Sequence, residues 1–198
     1  MKEIILIATF SDAERKEIES VKDIAQKKLR ELLSDIPVET YPFFKECILT
    51  GGCFASLFHD EEVHDWDVYL RDSVTISRFE SFVMSDTPTL NEVAEVTSGY
   101  MTITNVDGKL VTANAVTFKN GLQVIIMTDK KHRETFDFVH CMPYFDMATQ
   151  QLFISRAQYD SIRQKKLVKN PAHKQELSAH RIDKFLERGW TSDWTIRA

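Results

Sequence analysis

The sequence predicts a single mixed α+β domain with a C-terminal helical portion, and three observations carry that prediction. Apolar residues recur at helical spacing after residue 11. Short apolar or alternating segments then run between glycine, asparagine and aspartate turns as far as residue 154. Helical periodicity returns from residue 155 onward. Strands and helices mixed in this way suit a sheet packed against helices.

The opening residues, Met1 to Phe10, read as a strand or as an apolar start to the first helix. They look a little like a secretion signal, but no small-residue cleavage site follows and the next segment is strongly charged. Ser11-Asp12-Ala13-Glu14 forms a capping box, in which a hydroxyl and a carboxylate each satisfy a free N–H at a helix start. Ile18, Val21, Ala25, Leu29, Leu32 and Leu33 give the helix one apolar stripe, and Pro37 ends it. Cys47–Thr50 is a short buried strand, Gly51-Gly52 breaks it, and Cys53–Phe58 is a short helix. A polar turn from His59 to His64 leads into an alternating strand, Asp65–Leu70.

Ile76–Met84 is the next helix, followed by strands at Glu92–Val96 and Tyr100–Thr104 and a turn at Asp107-Gly108. Ala115–Phe118 and Leu122–Met127 flank Asn120-Gly121 and predict a hairpin. Phe136–His140 and Gln151–Ile154 read as further strands. Ser155–Lys166 and Leu177–Arg188 are helices, the second closed by Gly189 in a left-handed conformation. The expected parts are 1–40 (strand and amphipathic helix), 41–154 (core) and 155–198 (helical segment).

Of the 198 residues, 43% are hydrophobic and 28% charged, close to ordinary globular usage. No apolar run approaches the roughly 20 residues of a spanning helix, so a cytoplasmic protein with no membrane partner is expected. Three cysteines without a C-x-x-C pair argue against a disulfide framework and a structural zinc site. A net charge of −5 gives no overall drive toward nucleic acid, although a local basic patch remains compatible with it.

Three features carry chemistry. Thr50-Gly51-Gly52 enters a short helix, where missing Cβ atoms and free N–H groups suit phosphate, and Ser56 adds a hydroxyl. Alone, a glycine pair reads first as a tight strand-to-helix turn without a ligand. Asp65 and Asp67 project from one strand face, and two such carboxylates repel unless a cation compensates; oxygen ligands suit magnesium. The plain reading is a solvated acidic edge. Asp137 sits between Phe136 and Phe138, neighbours that favour burial, although it could line the exposed side of a half-buried strand.

The glycine pair, Asp65-Trp66-Asp67 and the distant Phe136-Asp137-Phe138 together resemble the active site of the DNA polymerase β-like nucleotidyltransferases. Ile48 to Leu57, running on to Asp65–Tyr69, is similar to the head-domain signature of tRNA nucleotidyltransferases and poly(A) polymerases. Where those enzymes usually carry Arg-Asp, this chain has Ala55-Ser56, so their phosphate and discriminating contacts do not transfer. Small phage-encoded nucleotidyltransferase-like proteins share more: the D-x-D-x-Y run, Asn114-Ala115-Val116-Thr117, Phe136–Cys141 and Arg181–Trp190. The likeness covers roughly residues 45–190 and leaves the first helix aside.

The resemblance implies a nucleotidyltransferase mixed sheet flanked by helices and a reaction on two magnesium ions, with manganese as a possible substitute. Asp65 and Asp67 would hold the ion carrying the nucleoside triphosphate, ATP among the possibilities. Asp137 would complete the second ion's shell and help deprotonate the acceptor hydroxyl. RNA is the expected acceptor. Arg181, Lys184 and Arg188 fall on one helix face and would meet the triphosphate or an RNA backbone, or simply be solvated.

Trp190 and Trp194 either stack on a base or pack the tail, with packing favoured. Lys130 to Arg133 reads as a loop, with phosphate contact the lesser option. His140 and Cys141 point to packing or a supporting hydrogen bond rather than zinc, and Glu61 and Glu62 to a solvated turn. The alternatives are a catalytically degenerate nucleotide-binding or virion-associated phage protein, or a toxin-like or anti-defence enzyme modifying a host molecule.

Overall fold

The computed structural model describes residues 10–36, 38–84, 115–118, 120–126 and 133–193. The expectations at residues 1–9, the strands at 92–96 and 100–104, the 107–108 turn, Asn114, Met127, residues 130–132 and Trp194 lie outside them.

Ser11 opens α1 (Asp12–Ser34) with the predicted capping box: its hydroxyl accepts from the Glu14 amide at 3.3 Å, and the Glu14 carboxylate accepts from the Ser11 amide at 2.7 Å. Val21, Ala25, Leu29, Leu32 and Leu33 are buried along its inner face. A 3-10 turn (Val38–Thr40) and one-turn helix α2 (Tyr41–Phe44) follow, too short to leave a periodic signal. Then come β1 (Ile48–Thr50), α3 (Cys53–Leu57), β2 (Trp66–Tyr69) and α4 (Ser73–Met84). Asp72 starts α4 three residues earlier than the apolar pattern suggests, its carboxylate accepting from the Thr75 amide at 2.8 Å.

The predicted hairpin forms as β3 (Ala115–Thr117) and β4 (Leu122–Ile125). After it come β5 (Tyr144–Asp146), β6 (Gln151–Phe153), α5 (Arg156–Arg163), β7 (Lys166–Leu167), α6 (Ala179–Glu187) and β8 (Thr191–Ser192). Gly189, at φ +79, follows α6 as expected.

Among the described residues, six strands form one mixed sheet in the order β3-β4-β2-β1-β5-β6. The β2–β4 pair is parallel and the other pairs are antiparallel. Leu49, Trp66, Val68, Val116, Leu122, Val124 and Phe145 are all buried in the core cluster. By alternation they line one sheet face, and α1 packs beside α3, β5 and β6. Short strands β7 and β8 make a separate parallel pair.

One predicted strand is not there. Around Asp137 the chain bends, Phe138 makes a single bridge with Lys169, and Val139–Cys141 turns as a 3-10 helix. Residues 137–141 are buried without alternation, so the apolar pattern reflected burial on all sides rather than a pleat. The strand beside β1 is instead β5, which the sequence reading missed because three residues after Pro143 are too few to show a period.

Candidate active site

Trp66 and Val68 point into the core, so Asp67 between them projects from the opposite sheet face, level with Gln123 of β4. Asp65 lies just before β2 and is exposed. Gly51, at φ +98, closes on this carboxylate: a Cβ there would stand 2.6 Å from Asp67 Oδ2. The Gly51 amide donates to the Cys141 carbonyl at 3.1 Å and so serves the fold. At Gly52 a Cβ would meet nothing within 4 Å, so the open room beside the loop lies there.

Asp67 Oδ1 is buried without a hydrogen-bond partner among the described residues. Burial first, and then the charge of Asp65, push the Asp67 carboxyl up to about 7, while Arg181 and Lys184 pull it down. These side chains therefore share one electrostatic neighbourhood. Two of the expected carboxylates stand together there, with two of the expected cations.

Asp137 is 9% exposed and differently engaged. Arg181 grips it as a fork, Nε donating to Oδ2 at 2.5 Å and Nη2 to Oδ1 at 3.1 Å, while the Phe138 amide donates to Oδ1 at 3.0 Å. Among the described residues, no three His, Cys, Asp or Glu side chains gather as a possible metal-ligand group.

The predicted basic stripe divides. Arg181 and Lys184 bear on Asp67, whereas Arg188 turns to Glu61 Oε2 at 2.5 Å and to Ser56 Oγ at 2.9 Å. Glu61, expected to be solvated, also accepts from Lys165 Nζ at 2.6 Å; the two cations hold its carboxyl below the usual range even though burial alone would raise it. The turn before β2 folds back onto the loop after α5, and that is why Glu61 is paired. Thr50 is buried, and its hydroxyl donates to the Pro143 carbonyl at 2.7 Å. The Thr50 hydroxyl is thus spent on the fold, while Ser56 Oγ accepts from Arg188.

The thiols offer no nucleophile: burial pushes Cys141 up to about 12 and Cys53 well above its ordinary value. His140 stacks on Phe138 and meets Phe185 and Trp190, with centroids at 5.3, 4.4 and 4.2 Å. Neither of its ring nitrogens has a hydrogen-bond partner, so it packs and does not bridge. Trp190 is buried in the same cluster, as the packing alternative required. Arg133 lies over the Tyr144 ring at 3.9 Å, with Nη1 buried and unpartnered.

Sequence reasoning missed Asn170. Its amide donates to the Asp137 carbonyl at 2.8 Å, and its Nδ2 donates to the carbonyls of Phe136 at 2.8 Å and Glu134 at 3.2 Å. The signal was the Asn170-Pro171 dipeptide, a turn marker whose side chain reaches backbone nearby.

Among solved structures, the chain is similar to the Thermotoga maritima CCA-adding enzyme in complex with tRNA, at 14% identity over 83% of this chain and 42% of that one, with a TM-score of 0.48. The apo form of a CCA-adding enzyme matches at 13% identity over 76% and 36%, with a TM-score of 0.45. A complex of a CCA-adding enzyme with CTP matches at 13% identity over 70% and 34%, with a TM-score of 0.39. The chain thus spans well under half the length of these proteins. No curated protein matches it. The model of the Gabija anti-defense 2 family covers residues 23–165, and the chain belongs to that family.

Proposed function

We propose that this protein is a metal-dependent nucleotidyltransferase that moves a nucleoside monophosphate from a triphosphate to a hydroxyl, releasing pyrophosphate. RNA is the preferred acceptor class, and the family's name supplies the setting, opposition to a defence system called Gabija. The observation that carries this reading is Asp67. A carboxylate oxygen buried without a donor loses on the order of 1–3 kcal/mol or more. Here a second carboxylate stands beside it, and a glycine gives it room. Such a pair is suited to a divalent cation.

Hard oxygen ligands fit magnesium, or manganese in its place, so Asp65 and Asp67 would hold the ion. When bound, it would supply charge neutralisation at the phosphoryl oxygens and the departing pyrophosphate. Arg181 and Lys184 would add positive charge on the same side, and positioning with charge stabilisation carries most phosphoryl chemistry. The space at Gly52 admits the triphosphate close to the backbone. Asp137 would take the acceptor's proton only once the Arg181 fork opens.

The test is incubation with Mg²⁺, each labelled triphosphate and a pool of RNA and host protein. Label should enter one pool, and Asp67→Asn should abolish it. No incorporation with any of the four triphosphates overturns the reading. The fork on Asp137 favours a second reading, anti-defence action by binding alone, in which Asp65→Asn and Asp67→Asn proteins would still protect.

A further inference from the structure

We infer that Arg181 is a built-in cation standing in for a second metal ion, so that the site loads a single divalent ion at Asp65–Asp67. The inference rests on the metal-dependent reading above and narrows it.

Both Asp137 oxygens already have charged donors. The fork of Nε on Oδ2 and Nη2 on Oδ1 is the bidentate geometry in which a guanidinium matches a carboxylate best, and the Phe138 amide adds a third bond. Three donors leave this carboxylate a single lone-pair site, on Oδ2, so a metal ion there would have to bind beside the guanidinium charge that already grips the same oxygen.

Neither partner is loosely placed. The loop carrying Asp137 is tied to Asn170 through the carbonyls of residues 134, 136 and 137. Arg181 lies in the first turn of α6, a helix anchored by Phe185, whose ring packs against Phe138 and His140. The fork thus joins two fixed elements across the open side of the sheet. Arg181 Nη2 also stands 3.9 Å from Cys141 Sγ, and the guanidinium charge reaches Asp67.

Charge points the same way. Among the described residues, three carboxylates (Asp65, Asp67 and Asp137) meet two side-chain cations (Arg181 and Lys184), a deficit that one divalent ion more than covers. A second ion would have to enter beside a guanidinium already on its ligand.

Titration with Mn²⁺ alone, counting bound ions by paramagnetic resonance, tests the inference on the full chain. One ion per chain is expected for the wild type, two for Arg181→Met, and one again for Arg181→Met with Asp137→Asn. Two ions on the wild type, or one on Arg181→Met, overturn the inference while leaving the metal reading intact. No ion on the wild type overturns the metal reading itself. Should Arg181→Met fail to fold, Asp137→Asn decides alone: it keeps one ion if Asp137 is not a ligand, and losing that ion overturns the inference.

Discussion

Gly51 and Asp67 meet so closely that the smallest side chain at residue 51 would land 2.6 Å from the carboxylate oxygen of its neighbour. The positive φ of Gly51 compounds this, because an L side chain is strained there. One glycine therefore sets both the backbone path out of β1 and the position of the acid on β2.

Gly51→Ala should destabilise the protein by on the order of 1–3 kcal/mol. Part of that loss is contact with Asp67, so Gly51→Ala and Asp67→Ala together should lose less than the sum of the two. Urea midpoints of the four proteins measure the coupling. Strict additivity would mean that the approach does not exist.

Burial, and then the charge of Asp65, push the Asp67 carboxyl in the folded protein up to about 7, from an ordinary 3.8. Between those values the native state binds more protons than the unfolded chain, so this group lowers stability as pH rises, by up to roughly 1.4 kcal/mol per unit. Asp67→Asn should remove that slope. Mg²⁺, which needs the ionised form, should raise Tm more at pH 8 than at pH 5.5; an equal shift at both values would contradict the assignment.

His140 slopes the other way. Burial first, then the charges of Arg181 and Arg188, lower its pKa to about 3, from an ordinary 6.5. Below pH 6.5 the unfolded chain takes up a proton that the native state refuses, and stability falls with pH. His140→Phe keeps a ring in the aromatic cluster and should flatten this acid limb. Between about pH 4 and 6.5 the two groups oppose each other, so each single variant unmasks the other's slope in thermal melts. An unchanged acid limb in His140→Phe would show that this ring is not what titrates.

Asn170→Ala removes the two side-chain bonds to the carbonyls of Glu134 and Phe136, in the loop that presents Asp137, and keeps the backbone bond to the Asp137 carbonyl. A loss on the order of 1–3 kcal/mol is expected, with faster amide exchange at Phe138. Full stability would show that the loop holds itself.

The capping box, the apolar stripe of α1, the hairpin at Asn120-Gly121 and the left-handed Gly189 were legible because each rests on contacts within a few residues. Asp67 was legible as well, since alternation alone assigns its face. Asp137 was misassigned to a strand because Phe138 is buried against Phe185 of α6 while Phe136 packs on Tyr69 of β2, and no local pattern distinguishes that from a pleat. The division of Arg181 and Lys184 from Arg188 could not be read either. Helical spacing places all three on one face, but Glu61 and Ser56, from a distant turn, decide where Arg188 points.

Strand β1 lies inside the six-stranded sheet and pairs on one side with β2 and on the other with β5, so Ile48 faces both Tyr69 and Asp146. A nascent chain that has emerged only through β2 therefore has half of this ladder. The acids at 65 and 67 leave the ribosome long before the arginine that serves the third. The six-stranded sheet can be completed once β6 has emerged, whereas the site takes its final charge only when translation has passed α6.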